Sequence, residues 1–278
     1  MKRISKPTIL ALVFFGVMTL IGISATHAQN DTVNPLFSTT GPNVLPAGSI
    51  QWNNKFGITH TAYNSNGFAA VSPEGSTYSL NFDTRVRFGI GQRAELSLAL
   101  NAAKGTVLSL LDEVDKEPYS ALIPSVGAKL LLFEGKGWRP MVAFNTSVGF
   151  PILHNRLIDE GLILIDNDYL VRPTLGLQFR NRLGSRWLLD YSLDFTWVRA
   201  GMPLIIPTLQ ARWLATDRLL LGAGIDEDGW NLSGLYQLSP DLQLSLKGYY
   251  SLISDLIRGS RDIHAFVGLN WTLRNPSK

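Results

Sequence analysis

Three features of the sequence predict an all-β fold: a transmembrane antiparallel up-and-down β-barrel of about twelve strands, both termini periplasmic. Apolar and polar residues alternate one by one over about twelve segments, the period of strands with two unlike faces. Aromatic residues recur near segment ends, and short connections alternate with longer ones. Barrels that cross the outer membrane have both properties.

The alternation is clearest in three segments. From Tyr78 to Phe88 one face carries Tyr78, Leu80, Phe82, Thr84, Val86 and Phe88, and the other Ser79, Asn81, Asp83, Arg85 and Arg87. From Trp187 to Trp197 the first face is Trp187, Leu189, Tyr191, Leu193, Phe195 and Trp197, and the second Leu188, Asp190, Ser192, Asp194 and Thr196. From Ile263 to Leu273 the apolar face is Ile263, Ala265, Val267, Leu269, Trp271 and Leu273. Nine further segments follow more loosely: 49–59, 94–101, 124–133, 141–150, 171–180, 204–213, 219–226, 230–238 and 242–252.

Period two does not say which face is inside. A soluble lipocalin-like barrel turns its apolar face inward, whereas a membrane barrel turns it outward. Trp187 and Trp197 share one face ten residues apart. At ~3.3 Å per residue and ~40° tilt they are about 25 Å apart along the axis, the height of the apolar band between two aromatic girdles. With Phe88, Phe179, Trp213 and Trp271 they make up the expected girdle. Tight turns at 89–93, 134–139, 181–186, 215–218 and 239–241 follow every second strand. The longest connections between them are expected at His60–Gly75, Ala102–Ile123 and Pro151–Tyr169. About a dozen strands also overfill an eight-stranded soluble barrel but close readily around a lumen. The apolar face is therefore expected to meet lipid.

The opposite face is then the lumen. Its candidate lining is Lys55, Asp83, Arg85, Arg87, Glu95, Lys129, Arg172, Arg180, Asp190, Asp194, Arg212, Asp226 and Lys247. Eight of these are basic and five acidic, a mild bias towards anionic or polar solutes. Opposite charges that pair across the wall are the structural alternative.

The segment 1–28 reads as a secretory signal peptide. Lys2, Arg3 and Lys6 precede the apolar run Thr8 to Ser24, and Thr26-His27-Ala28 offers small residues at positions −3 and −1 of a cleavage site. Of 25 basic residues this leader holds three, which leaves 22 against 22 acidic residues. The remainder is near neutral, and no nucleic-acid partner is expected. The chain has no cysteine, so neither disulfides nor lipidation at the cleavage site enter. Residues 29–47 form a polar lead-in, of which Gln29 to Pro46 is a candidate partial plug of the lumen, and 48–278 form the barrel.

Catalytic and metal-binding patterns are weak. Beyond the leader the histidines are His60 and His154, placed in outer loops, and His264 on the polar face of the last strand. No nucleophile stands at a recognisable spacing from them. The clusters Asp112-Glu113-Val114-Asp115 and Asp226-Glu227-Asp228 offer oxygen ligands but lack the spacing of a calcium loop. No enzyme activity, cofactor or metal is expected.

Several segments resemble a bacterial family named after the phenol-degradation meta-pathway. The lead-in Thr40-Gly41-Pro42-Asn43-Val44-Leu45-Pro46-Ala47-Gly48-Ser49-Ile50-Gln51-Trp52 is similar to its N-terminal element, and Gly89-Ile90-Gly91-Gln92-Arg93-Ala94-Glu95-Leu96 resembles its first hairpin. Ser125-Val126-Gly127-Ala128-Lys129 through Pro151, Leu235 through Leu244 and His264 through Arg274 resemble later hairpins and the closing strand. The chain departs from the family pattern at Trp52-Asn53-Asn54, where an acidic residue is common, and in running on past the last strand as Asn275-Pro276-Ser277-Lys278. The resemblance implies an outer-membrane, transporter-like barrel and carries no catalytic residues.

The expected function is passive passage of small molecules across the outer membrane. The expected partners are outer-membrane lipid, a small-molecule solute and, during biogenesis, the barrel-assembly machinery. The rivals are a non-conducting structural or surface-interaction barrel and an outer-membrane lipid-modifying enzyme.

Overall fold

Each alternating segment is a strand in the computed structural model, which describes residues 41–63, 75–109, 117–135, 139–150, 152–154, 171–197, 203–226, 229–250 and 260–273. In chain order these strands are β1 (Ile50–Tyr63), β2 (Gly75–Gly89), β3 (Ala94–Ser109), β4 (Glu117–Phe133), β5 (Met141–Gly149), β6 (Leu153–His154) and β7 (Arg172–Arg182). They continue as β8 (Trp187–Thr196), β9 (Leu204–Thr216), β10 (Leu219–Asp226), β11 (Gly229–Ser239), β12 (Leu242–Tyr250) and β13 (Ser260–Leu273). The two-residue β6 pairs with β4 beyond the end of β5 and prolongs that strand. The barrel therefore has twelve walls of strand.

Every barrel strand pairs antiparallel with its sequence neighbours, and β1 pairs with β13 from Ile50↔Leu273 to Tyr63↔Ser260. That pairing closes the sheet on itself. Closure removes the free edges that lipid could not hydrogen-bond. The register shifts at Leu131/Phe133, Leu219/Leu220 and Gln237/Ser239 all lie beside tight turns, at a rim where an extra residue bends the wall cheaply.

The outward face carries the apolar set. Leu98, Leu232 and Leu246 are 55%, 69% and 55% exposed, values a soluble fold would avoid but lipid favours. Around the tight-turn end stand Trp52, Trp187, Trp213 and Trp271, all solvent-accessible. Trp187 and Trp213 face each other across strands with ring centres 6.0 Å apart, and Trp52 is the register partner of Trp271. Phe88 closes β2 at the same end, and Phe179 stacks on Tyr191 at 4.9 Å. Trp197 lies at the opposite end, where its amide continues the ladder to Pro173. The exposed Tyr78, Trp230 and Tyr250 join it there, and the sequence reading had not singled them out.

Two expectations about the connections are corrected. Residues 102–109 and 117–123 are strand, not loop, and pair with each other as the extension of β3 and β4. Beyond the apolar band a hairpin needs only a partner ladder, not alternation, so its strand character is hidden from the hydrophobic pattern. For the same reason His60 lies within β1, its ring 4.4 Å from that of Tyr78, and His154 lies in β6. The cluster at 112–115 lies outside the described residues.

An arginine on the lipid face at mid-membrane depth costs about 2–4 kcal/mol in such barrels. Leu246→Arg is expected to lower unfolding free energy by about that amount, read by urea titration in lipid vesicles. Ser245→Arg, on the opposite face, should cost clearly less.

Candidate functional site

Inward-facing positions are polar over most of the wall and enclose a cavity of about 740 Å³. At the tight-turn end of β8–β11 the inner face is instead apolar: Leu188, Leu214, Leu220 and Leu235 form a buried cluster. Above it the charges of the inner face meet in cross-strand pairs.

Among the described residues, two buried carboxylates, Glu95 and Asp190, gather the ion pairs. Glu95 receives both the Nε and an Nη of Arg87, at 2.9 and 2.7 Å. Its register partner Lys129 stands 3.8 Å away. Asp190 receives the Nε and an Nη of its register partner Arg180 at 2.6 and 2.7 Å, and the Nε of Arg212 at 2.7 Å. Such forks match guanidinium to carboxylate and are the stronger kind of charge-assisted bond. Arg87, Glu95, Arg180 and Asp190 are each no more than 8% exposed. Arg87 and Glu95 border the cavity as lumen-facing residues, and all four are buried in cross-wall pairs.

Hydrogen bonds extend these pairs along the wall. Arg87 donates to Gln51, which donates to Thr272. Arg212 donates to Gln210, which donates to Asn231 and Ser233, and Asn231 donates to Asp226. Lys247 lies 3.8 Å from Asp226, donates to the Tyr249 hydroxyl, and sits 4.0 Å from the centre of its ring. Asp194 accepts from Asn145 and Ser192. Lys55 and Asp83, directly opposed, are 3.8 Å apart and more open to solvent. Arg85 lines the cavity beside them. Arg172 begins β7 opposite Gly149, on the same inward-facing set of alternate residues as Arg180.

The cover is the lead-in. Residues 41–49 enter the barrel at the tight-turn end, where the Gly48 amide donates to Gly89 and the Gly89 amide to Ser49. Further in, the Leu45 amide donates to Glu95 at 2.9 Å, the Asn43 carbonyl accepts from Arg87 at 3.3 Å, and the Gly41 carbonyl accepts from Lys129 at 2.9 Å. Pro42 and Leu45 are buried. Gly41 has φ of +66°, and a Cβ there would lie 2.6 Å from the Arg180 guanidinium. Only glycine fits both the backbone conformation and the contact. Residues 29–40 lie outside the described residues.

A second inward group joins His264, which the sequence places on the polar face of the last strand, to two rings that the sequence does not single out. Tyr249, His264 and Phe266 place three rings on the lumen side of β12 and β13, with centres 5.7 to 6.2 Å apart. Phe266 lies over Gly57 of the neighbouring strand, where a Cβ would fall 2.2 Å from its ring. An apolar residue on a wet face looks like noise in an alternating pattern; the opposed glycine was its signal. His264 Nδ1 is 3.0 Å from the Thr59 hydroxyl, which also accepts from Asn81 at 2.8 Å. The hydroxyl, not the imidazole, is the middle member of that chain, the reverse of a nucleophile–base–orienter triad.

An apolar outer belt, a closed antiparallel ladder and a charged interior define an outer-membrane-type β-barrel. The structure is similar to that of the COG4313 outer membrane channel from Pseudomonas putida F1, with a TM-score of 0.59 at 15% identity over 88% of this chain and 100% of that one. It is also similar to the TodX deltaS2S3 mutant monoaromatic hydrocarbon channel, at a TM-score of 0.47, 8% identity, and 89% and 95% coverage. The translocator domain of the autotransporter NalP from Neisseria meningitidis follows at 0.42, 10% identity, and 95% and 97% coverage. No protein-family model and no curated protein matches the chain.

Removing one member of a buried ion pair leaves its partner charged and uncompensated, at a cost of about 3–5 kcal/mol. Glu95→Ala is expected to destabilise the barrel by that much. Lys55→Ala breaks an exposed pair and should cost less than about 1 kcal/mol. Denaturant titrations of the two variants side by side measure the difference.

Proposed function

We propose that the protein is a passive outer-membrane channel for small molecules. The observation that carries this reading is the polar inner wall around a cavity of about 740 Å³, inside a barrel whose outer face is fitted to lipid. A barrel closed only for structure can fill its interior with apolar side chains, as the leucine cluster does locally. Here the leucine filling lies at one end, and the cavity above it is lined mostly by polar and charged side chains. The resemblance to a solved outer membrane channel supports the same reading at the level of architecture.

The tight-turn end is read as periplasmic; β1 begins and β13 ends at that rim, which supports periplasmic termini. Export through the cleavable leader 1–28 and delivery to the barrel-assembly machinery belong to the same reading. Affiliation with the phenol-degradation meta-pathway family rests on the sequence motifs of the lead-in and hairpins. A non-enzymatic role is supported by the placement of His264, which faces the lumen and meets a threonine that is itself bonded by Asn81. An enzyme acting on membrane lipid needs its nucleophile on the outer face.

Reconstitution tests the channel directly. The refolded full chain is expected to show discrete conductance steps in planar bilayers and to permeabilise liposomes to small solutes. A barrel that shows heat-modifiable migration, and so is folded, yet never conducts or permeabilises would overturn the reading in favour of a structural role.

A further inference from the structure

The charges of the inner wall are distributed unevenly. Lys55, Arg172 and Lys247 are matched in number by Asp83, Asp194 and Asp226 along the open part of the wall. Around the lead-in, however, among the described residues, Arg87 and Lys129 share Glu95 and Arg180 and Arg212 share Asp190, while Arg85 lines the same cavity. Both carboxylates are already engaged, Glu95 by Arg87 and the Leu45 amide, and Asp190 by two guanidiniums. Like charges crowded in a partly buried site repel strongly unless anions compensate them.

Apart from Glu95, which Arg87 holds in its fork and Lys129 approaches at 3.8 Å, what faces these donors is neutral. Lys129 donates to the carbonyls of Gly41 and Asn43, at 2.9 and 3.5 Å, and Arg87 donates a further bond to Asn43. A peptide carbonyl is a neutral acceptor. These bonds are charge-assisted by the donor alone; a carboxylate in the same place would add the attraction of a second charge and bring negative charge to the cluster. The ammonium and guanidinium thus have the donor set for an oxyanion, and the lead-in holds their places with a weaker acceptor. The adjoining cavity is bounded by Gly41, Arg85, Arg87 and Lys129, so a solute in the lumen reaches the same donors.

We propose that Arg87 and Lys129, with Arg85 beside them, form a binding site for small carboxylate solutes, and that such a solute takes the place of the Gly41 and Asn43 carbonyls and displaces the lead-in. The lead-in is then a built-in competitor: its Gly41 and Asn43 carbonyls hold the donors at rest and yield to the solute class that the site prefers. This rests on the channel reading for its biological sense, but the binding step does not require conduction.

The absence of cysteine from the chain makes a single introduced thiol a clean reporter. Leu45 is 4% exposed under the wall, so Leu45→Cys in the refolded full chain in micelles should react slowly with a bulky polar maleimide. Succinate is expected to accelerate that labelling several-fold over chloride of equal ionic strength, and neutral 1,4-butanediol is not. Lys129→Gln, with folding verified by heat-modifiable migration, is expected to raise the basal rate roughly tenfold, the loss expected for one bond to a charged donor, and to abolish most of the succinate effect. A labelling rate indifferent to succinate overturns the proposal, and acceleration by inorganic phosphate but not succinate overturns the carboxylate assignment. Anion-dependent labelling in a barrel that never conducts overturns only the channel reading. Conductance with anion-independent labelling overturns only this site.

Discussion

A backbone placed in hydrocarbon has no water to satisfy its amides and carbonyls, and each unmet group costs several kcal/mol. That constraint shapes this molecule from the β1–β13 seam outward. The seam pairs fourteen residues of β1 with fourteen of β13, so the first and last strands have no exposed edge. Once the ladder is closed, side-chain direction follows from the pleat alone. Away from the three register shifts, residues of one parity face outward and those of the other face the interior.

Twelve strands enclose more space than their own inner side chains fill. The protein meets this in two ways. At the tight-turn end of β8–β11 four leucines fill the interior. On the opposite side of the same end, the β2–β4 wall carries arginine, glutamate and lysine, and the chain before β1 folds in to cover them. The second solution is electrostatically demanding, because buried ion pairs lose hydration as they form. The bidentate forks at Glu95 and Asp190 and the backbone bonds of residues 41–45 offset that loss. Gly41 links the two pairs, accepting from Lys129 on one side and lying against Arg180 on the other.

The walls were legible because period two survives any sequence noise that leaves parity intact. The pairing of specific charges was less legible. The centre of a tight turn sets the register of its hairpin, and the turns read from the sequence at 89–93 and 181–186 are off-centre from the hairpins that form, in which Gly89 pairs with Glu95 and Arg180 with Asp190. What the pattern could not show was depth. Alternation says that Arg87 faces inward but not whether water or chain lies over it, because the cover comes from a segment with no periodicity of its own. The lengths of β3 and β4 were hidden for a related reason: past the lipid belt neither face has a preferred polarity, so a strand there reads as loop. Phe266 and Gly57 carried a signal in a pair across strands, where single-segment reading does not look.

The buried pairs also bear on how the lead-in finds one position. An apolar lumen floor would hold an apolar segment in many registers, since hydrophobic contact has no direction. Glu95 accepts one amide, Lys129 reaches two carbonyls, and Gly41 is the residue that fits against Arg180 without a Cβ clash. A shift of the lead-in by one residue would present side chains where the wall needs backbone groups and would leave charged donors facing nothing. Hydrophobic residues of equal volume in place of every charge of both clusters, Lys129 and Arg212 included, would fill the same space, yet they would remove what fixes the register. The role of the charges in this architecture is therefore to specify where the lead-in sits, and stability of the wall is left to the ladder.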